Sequence, residues 1–87
     1  MREGFVVIKN TLGIHARPAT AFVRLASKYK SKVEVIKDGY VADGKSILDI
    51  LALGAERGSK ILLRVEGEDE DEAFKALKDL LEHGIRE

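Results

Sequence analysis

Two one-sided helical stripes constrain the fold of this chain more than any other feature. Phe22, Leu25, Ala26 and Tyr29 recur at i, i+3, i+4 and i+7, and Ala73, Phe74, Leu77, Leu80 and Leu81 form a similar stripe later in the sequence. A helix with one apolar stripe must lay it on another layer, so the intervening residues have to build that layer. The spacing predicts a first helix from about Ala16 to Tyr29. It predicts a last one opened by Asp69 and Glu72, with a first turn rich in acid as the helix dipole favours, and ended by Gly84.

The segments between the stripes supply strands. Phe5–Ile8 is a short apolar run that reads as a buried strand, and Lys32–Lys37 alternates, with Val33 and Val35 flanking Glu34. Asp38-Gly39 is a two-residue hairpin signal, with Tyr40 to Ala42 returning. Lys60–Glu66 carries Ile61, Leu62, Leu63 and Val65 as a last strand. Before it, Ser46 is a good N-cap with Asp49 three positions on, and a short helix from about Ile47 to Leu53 stops at Gly54. The order is β-α-β-β-α-β-α without a linker, and 87 residues make one domain, 1–87. A four-stranded sheet covered on one face by helices would bury every stripe at once. Propensity alone equally allows a ferredoxin-like arrangement.

Charge and composition narrow the function. Fifteen basic residues offset fifteen acidic ones, so no net field favours nucleic acid or an anionic membrane. The 3 Phe and 2 Tyr, with no Trp, offer no strand-centred stacking pair for RNA. Cysteine is absent, which removes disulfide and thiol chemistry and fits a reducing compartment. No apolar run approaches the ~20 residues of a membrane span, and no signal-peptide core is present, so a cytoplasmic protein is expected. There is no phosphate-binding glycine loop, no metal-ligand cluster and no serine or cysteine nucleophile arrangement. No cofactor or metal is therefore expected, and no enzyme with a pocket of its own.

The chemistry concentrates in Gly13-Ile14-His15-Ala16-Arg17-Pro18-Ala19. His15 sits where the first helix should begin, and Pro18 fits its first turn. Unpaired amides and the positive end of the dipole favour an anion there and disfavour an imidazolium, so His15 should be neutral and nucleophilic. Arg17 adds a donor fork suited to phosphate oxygens. Together these groups suit a histidine that takes up a phosphoryl group and passes it on. Taken alone, the same residues also fit a solvated surface histidine beside a surface arginine.

The seven-residue motif, followed by Lys45-Ser46-Ile47-Leu48 at matching spacing, resembles the HPr family, the histidine-containing phosphocarriers of the bacterial sugar phosphotransferase system. The resemblance covers essentially the whole chain. It implies an α+β, open-faced β-sandwich with a four-stranded antiparallel sheet under three helices. It also implies that His15 accepts a phosphoryl group at Nδ1 from Enzyme I, itself charged by phosphoenolpyruvate, and donates it to sugar-specific EIIA proteins. Arg17 would stabilise the transferring group, with no magnesium on the carrier and a monomer as the working unit. A paralogous phosphocarrier in a nitrogen-regulatory or dihydroxyacetone-kinase relay has the same chemistry with other partners.

The same resemblance bears on further residues. In a subset of HPr proteins the serine matching Ser46 is phosphorylated by a dedicated kinase. Here Lys45-Ser46-Ile47 matches, while Leu48 and Leu51 stand where regulated members commonly carry methionine, and Asp49 where many carry glycine. By position, Arg17, Thr20, Arg24, Ile47, Leu48 and Leu51 would form the docking surface for Enzyme I and the acceptors. Some of Ile47, Leu48, Leu51 and Leu53 should stay exposed as a small apolar patch. His83, near the end of the last helix, reads as structural, and the acidic run from Glu66 to Glu72 as a solvated helix start.

Overall fold

The computed structural model describes residues 1–9 and 16–83. Its elements are β1 (Arg2–Val7), α1 (Ala16–Ser27), β2 (Lys32–Lys37), β3 (Tyr40–Asp43), α2 (Ile47–Leu53), β4 (Lys60–Glu66) and α3 (Glu70–His83). The four strands form one sheet in the order β1-β4-β2-β3, with every neighbouring pair antiparallel. β1 is therefore an edge strand and β4 lies inside. That excludes the ferredoxin-like alternative, whose first strand lies inside the sheet.

The helices cover a single face. Val6, Val33, Val35, Ala42, Ile61, Leu63 and Val65 point into it and are buried against Ala19, Phe22, Val23 and Ala26 of α1, and Ala73, Phe74, Leu77 and Leu81 of α3. Leu25, Tyr29, Leu51 and Leu80 pack at the rim of this core. Both stripes predicted from spacing thus lie where predicted. Inward-facing Gly4 makes room for the Phe74 ring, which a Cβ there would approach at 3.1 Å.

The expectation for the first strand needs correction. Phe5–Ile8 is not buried throughout: Val6 and Ile8 face the core, while Phe5 is 65% and Val7 45% exposed on the uncovered face. Period-2 geometry forces this in any strand of a sheet covered on one side only. The first helix also stops two residues earlier than predicted. Lys28 and Tyr29 donate to the Leu25 and Ala26 carbonyls at 3.1 and 3.2 Å, a tightened final turn that still keeps Tyr29 against the core. The hairpin forms as predicted, with Asp38 at φ 50° and Gly39 at φ 81°, the paired left-handed turn that matches strand twist. Gly84 lies outside the described residues.

The acidic run is more than a solvated helix start. The Asp69 carbonyl receives the Ala73 amide at 3.0 Å, so Asp69 caps α3 with its backbone. Its carboxylate turns away and accepts the Lys30 amide at 2.9 Å, the Ser31 amide at 3.0 Å and the Ser31 hydroxyl. Glu70 accepts the Gly67 amide at 3.1 Å on one oxygen and meets the Met1 amino group at 3.0 Å on the other. The β4–α3 turn is thereby clasped to the α1–β2 turn. Gly67 is what lets them approach: its φ is 152°, and a Cβ would sit 2.7 Å from Ser31 Cα.

Candidate functional site

His15 lies outside the described residues, as do the Gly13 and Ile14 of its motif. The chain on either side of it is anchored. Ile8 donates to the Ser59 carbonyl at 2.9 Å and accepts from Gly58 at 2.8 Å, and Lys9 donates to the Leu81 carbonyl at 2.9 Å. On the other side α1 begins at Ala16, with Pro18 half-buried and Ala19 buried beneath it.

The outer face of α1 follows from helical spacing. Arg17, Ala21, Arg24 and Lys28 recur at three- and four-residue steps, so they share one face opposite Phe22 and Ala26. Together with Thr20 and Leu25 they line an open depression. Among the described residues three cations and no carboxylate line it, with Arg17 exposed. This surface can receive an anion or an acidic partner. The structure thus brings together Arg17, Thr20 and Arg24 of the expected docking set. Lys28, which the sequence reading did not single out, lines the same depression; its four-residue spacing from Arg24 could have placed it there.

α2 packs beside α1. Ser46 holds its N-cap in extended conformation, φ −114° and ψ 117°, and its hydroxyl accepts the Asp49 amide at 3.2 Å. The Asp49 carboxylate in turn accepts the Asp43 amide at 3.0 Å, while the Ser46 amide donates to the Asp43 carbonyl at 3.0 Å. Gly54 ends α2 in the left-handed conformation, its amide on the Leu51 carbonyl at 3.2 Å. Lys45 extends its ammonium to the Tyr29 carbonyl at 2.7 Å, a cation at the C-terminal end of α1 that ties the two helices together.

The apolar residues of α2 divide. Ile47 is 40% and Leu48 79% exposed, whereas Leu51 is half-buried against the core and Leu53 is buried. Of the expected docking set on α2, Ile47 and Leu48 form the exposed patch and Leu51 supports it from below. His83 is exposed, with Nε2 3.6 Å from Asp79 one turn earlier.

The strongest titration shift among the described residues belongs to the clasp. The Ser31 hydroxyl, then the Lys30 amide, hold the Asp69 carboxyl down at about 2. The ammonium of Met1 and the Gly67 amide likewise hold Glu70 below its ordinary value. No helix among the described residues is long and apolar enough to cross a membrane.

Comparison with known proteins agrees with this picture. The family described as the PTS HPr component phosphorylation site matches residues 3–83. The phosphocarrier protein HPr of Lysinibacillus sphaericus is 49% identical over 79 residues, covering 91% of this chain and 89% of the relative. The crystal structure of HPr-C-His from Thermoanaerobacter tengcongensis superposes with a TM-score of 0.87 at 48% identity, covering 93% of this chain and 91% of that one. A phosphocarrier protein HPr from Bacillus anthracis str. Ames gives the same TM-score at 33% identity, covering 93% and 96%. Motif, sheet order and relatives converge, and the chain belongs to the HPr family of phosphocarriers of the phosphotransferase system.

Proposed function

We propose that this protein carries a phosphoryl group on His15, taking it from phosphorylated Enzyme I and handing it to sugar-specific EIIA proteins in the cytoplasm. The observation that carries the reading is the cation-lined depression on α1, which starts with Arg17, two residues beyond His15. A phosphoryl group in transfer bears charge on its equatorial oxygens, and most of the catalysis lies in positioning and electrostatic stabilisation. In this reading the imidazole is the nucleophile. It forms an N–P bond as the bond to the Enzyme I donor breaks, and the reverse exchange occurs with the acceptor. Arg17 and the first amides of α1 hold the transferring oxygens. Arg24, Thr20, Ile47 and Leu48 dock the partners, with Leu51 beneath.

Ser46 has a second role in this proposal, as the target of a regulatory serine kinase. Its hydroxyl sits at the start of α2 directly beside the exposed Ile47 and Leu48. A phosphate there would put about −1.5 to −2 charges into the docking surface.

The carrier function is tested by following labelled phosphate from phosphoenolpyruvate through Enzyme I to a purified EIIA subunit. The expected result is that the acceptor is labelled only when this protein is present. Equal labelling of the acceptor in its absence would contradict the reading.

A further inference from the structure

We propose that the uncovered face of the sheet is a self-complementary surface on which two copies of this chain associate weakly, leaving α1 and α2 of both copies free. The face is organised in rows by strand register. One row is apolar across all four strands: Phe5 pairs with Leu62, Leu62 with Ile36, and Ile36 with Val41. Phe5 and Val41, at its two ends, are 65% and 49% exposed. The neighbouring row is charged: Glu3 pairs with Arg64, Arg64 with Glu34, and Glu34 with Asp43. Beyond it Lys32 pairs with Glu66.

This register fixes what a second copy would meet. Turning a copy over about an axis parallel to the strands, midway between β4 and β2, lays β4 of one on β2 of the other. It also lays β1 on β3. Leu62 then faces Ile36 and Phe5 faces Val41, twice over. Arg64 faces Glu34, and Glu66 faces Lys32, again twice. The opposite charges that neighbour one another within the sheet become opposite charges across the interface. Two sheets packed this way keep their strands within about 30° and lie about 10 Å apart.

The like-charged meeting of Glu3 with Asp43 falls at the rim. There water screens it, and Arg64 already holds Glu3 at 2.9 Å. Four strands about 4.8 Å apart and about six residues long make a face of roughly 400 Å² per copy. That is about half of what a stable dimer buries on each side, so a dissociation constant on the order of 0.1–1 mM is expected. The monomer expected from the family resemblance is then the dilute form.

The test is sedimentation equilibrium of the full chain from about 10 µM to about 1 mM at physiological salt. Wild type should pass from monomer toward dimer across this range. Phe5→Ser and Val41→Lys, at exposed positions that leave the core intact, should each weaken association at least about tenfold. Arg64→Glu and Glu34→Arg should each be monomeric alone and associate when mixed, because only the mixed pair restores both cross-interface contacts. Arg57→Glu carries the same charge change outside this face, so it should self-associate like wild type and form no mixed dimer with Glu34→Arg, in which the introduced arginine would face Arg64. Wild type that remains monomeric at the top concentration would overturn the proposal. So would association that survives Val41→Lys, which would point instead to exchange of an edge strand between copies.

Discussion

Arg17 and Asp69 are both charged residues at helix starts, and the structure gives them opposite tasks. Arg17 stands exposed on the outer face of α1, lining the open depression there, and in the proposed function it meets the transferring phosphoryl group. Arg17→Ala should fold with an unchanged melting temperature and slow phosphorylation of His15 by about tenfold or more, measured with Enzyme I and phosphoenolpyruvate. Arg17→Lys should recover only part of that rate, since a point charge cannot reproduce the guanidinium fork. Asp69 instead spends its carboxylate inside the molecule, on the Ser31 hydroxyl and the amides of Lys30 and Ser31. Its folded-state pKa is depressed to about 2 from 3.8, so its stabilisation is fully present above the unfolded value and fades as pH falls from about 4 toward 2. Urea midpoints measured from pH 6 to pH 2 should fall across that window in wild type. Asp69→Asn should start lower and flatten it. The acid-rich start of α3 was legible in sequence, but this use of it was not, because the partners are 38 and 39 residues away.

At the scale of elements, local signals were reliable where one residue decides the geometry. Asp38-Gly39 turned the hairpin, Gly54 ended α2, and Ser46 capped it, each through backbone or side-chain chemistry contained within a few residues. They failed where tertiary contact chose between partners. The apolar run of β1 shows half its side chains to solvent, and the Asp69 carboxylate turns from its own helix to Lys30 and Ser31. The Ser46 cap leads to two separable outcomes. Ser46→Ala should cost about 1 kcal/mol of stability by loss of the bond from the Asp49 amide. Ser46→Asp should keep the cap, leave the melting temperature nearly unchanged, and clearly slow phosphorylation of His15. Its added charge would have to be buried with Ile47 and Leu48 against Enzyme I. Wild-type phosphorylation rates in Ser46→Asp would reduce Ser46 to a helix cap. Gly67→Ala should lose about 1–3 kcal/mol in a denaturant titration, since its φ of 152° and the close approach to Ser31 both exclude a Cβ.

At the scale of the whole molecule, the division of labour follows from a sheet covered on one face. The buried side chains of all four strands and three helices meet in a single core. That leaves the outer surfaces of α1 and α2 and the far side of the sheet exposed, the surfaces proposed for partners and for a second copy. The period-3.6 and period-2 patterns of Phe22–Tyr29, Ala73–Leu81 and Val33–Val35 made the layers legible. Strand order was not legible from those patterns, because nothing in β1 itself says that β4 rather than β2 will lie beside it; the family motif around His15 implied only the open-faced, four-stranded antiparallel architecture. The same motif carries the functional claim, and one measurement bears on it most directly. Wild type and His15→Ala are incubated with phosphoenolpyruvate and Enzyme I and their intact masses recorded before and after acid treatment. Wild type should gain one phosphoryl group and lose it in acid, as a phosphoramidate does, while His15→Ala gains none. Retention of the label by His15→Ala would contradict the account and shift attention to His83.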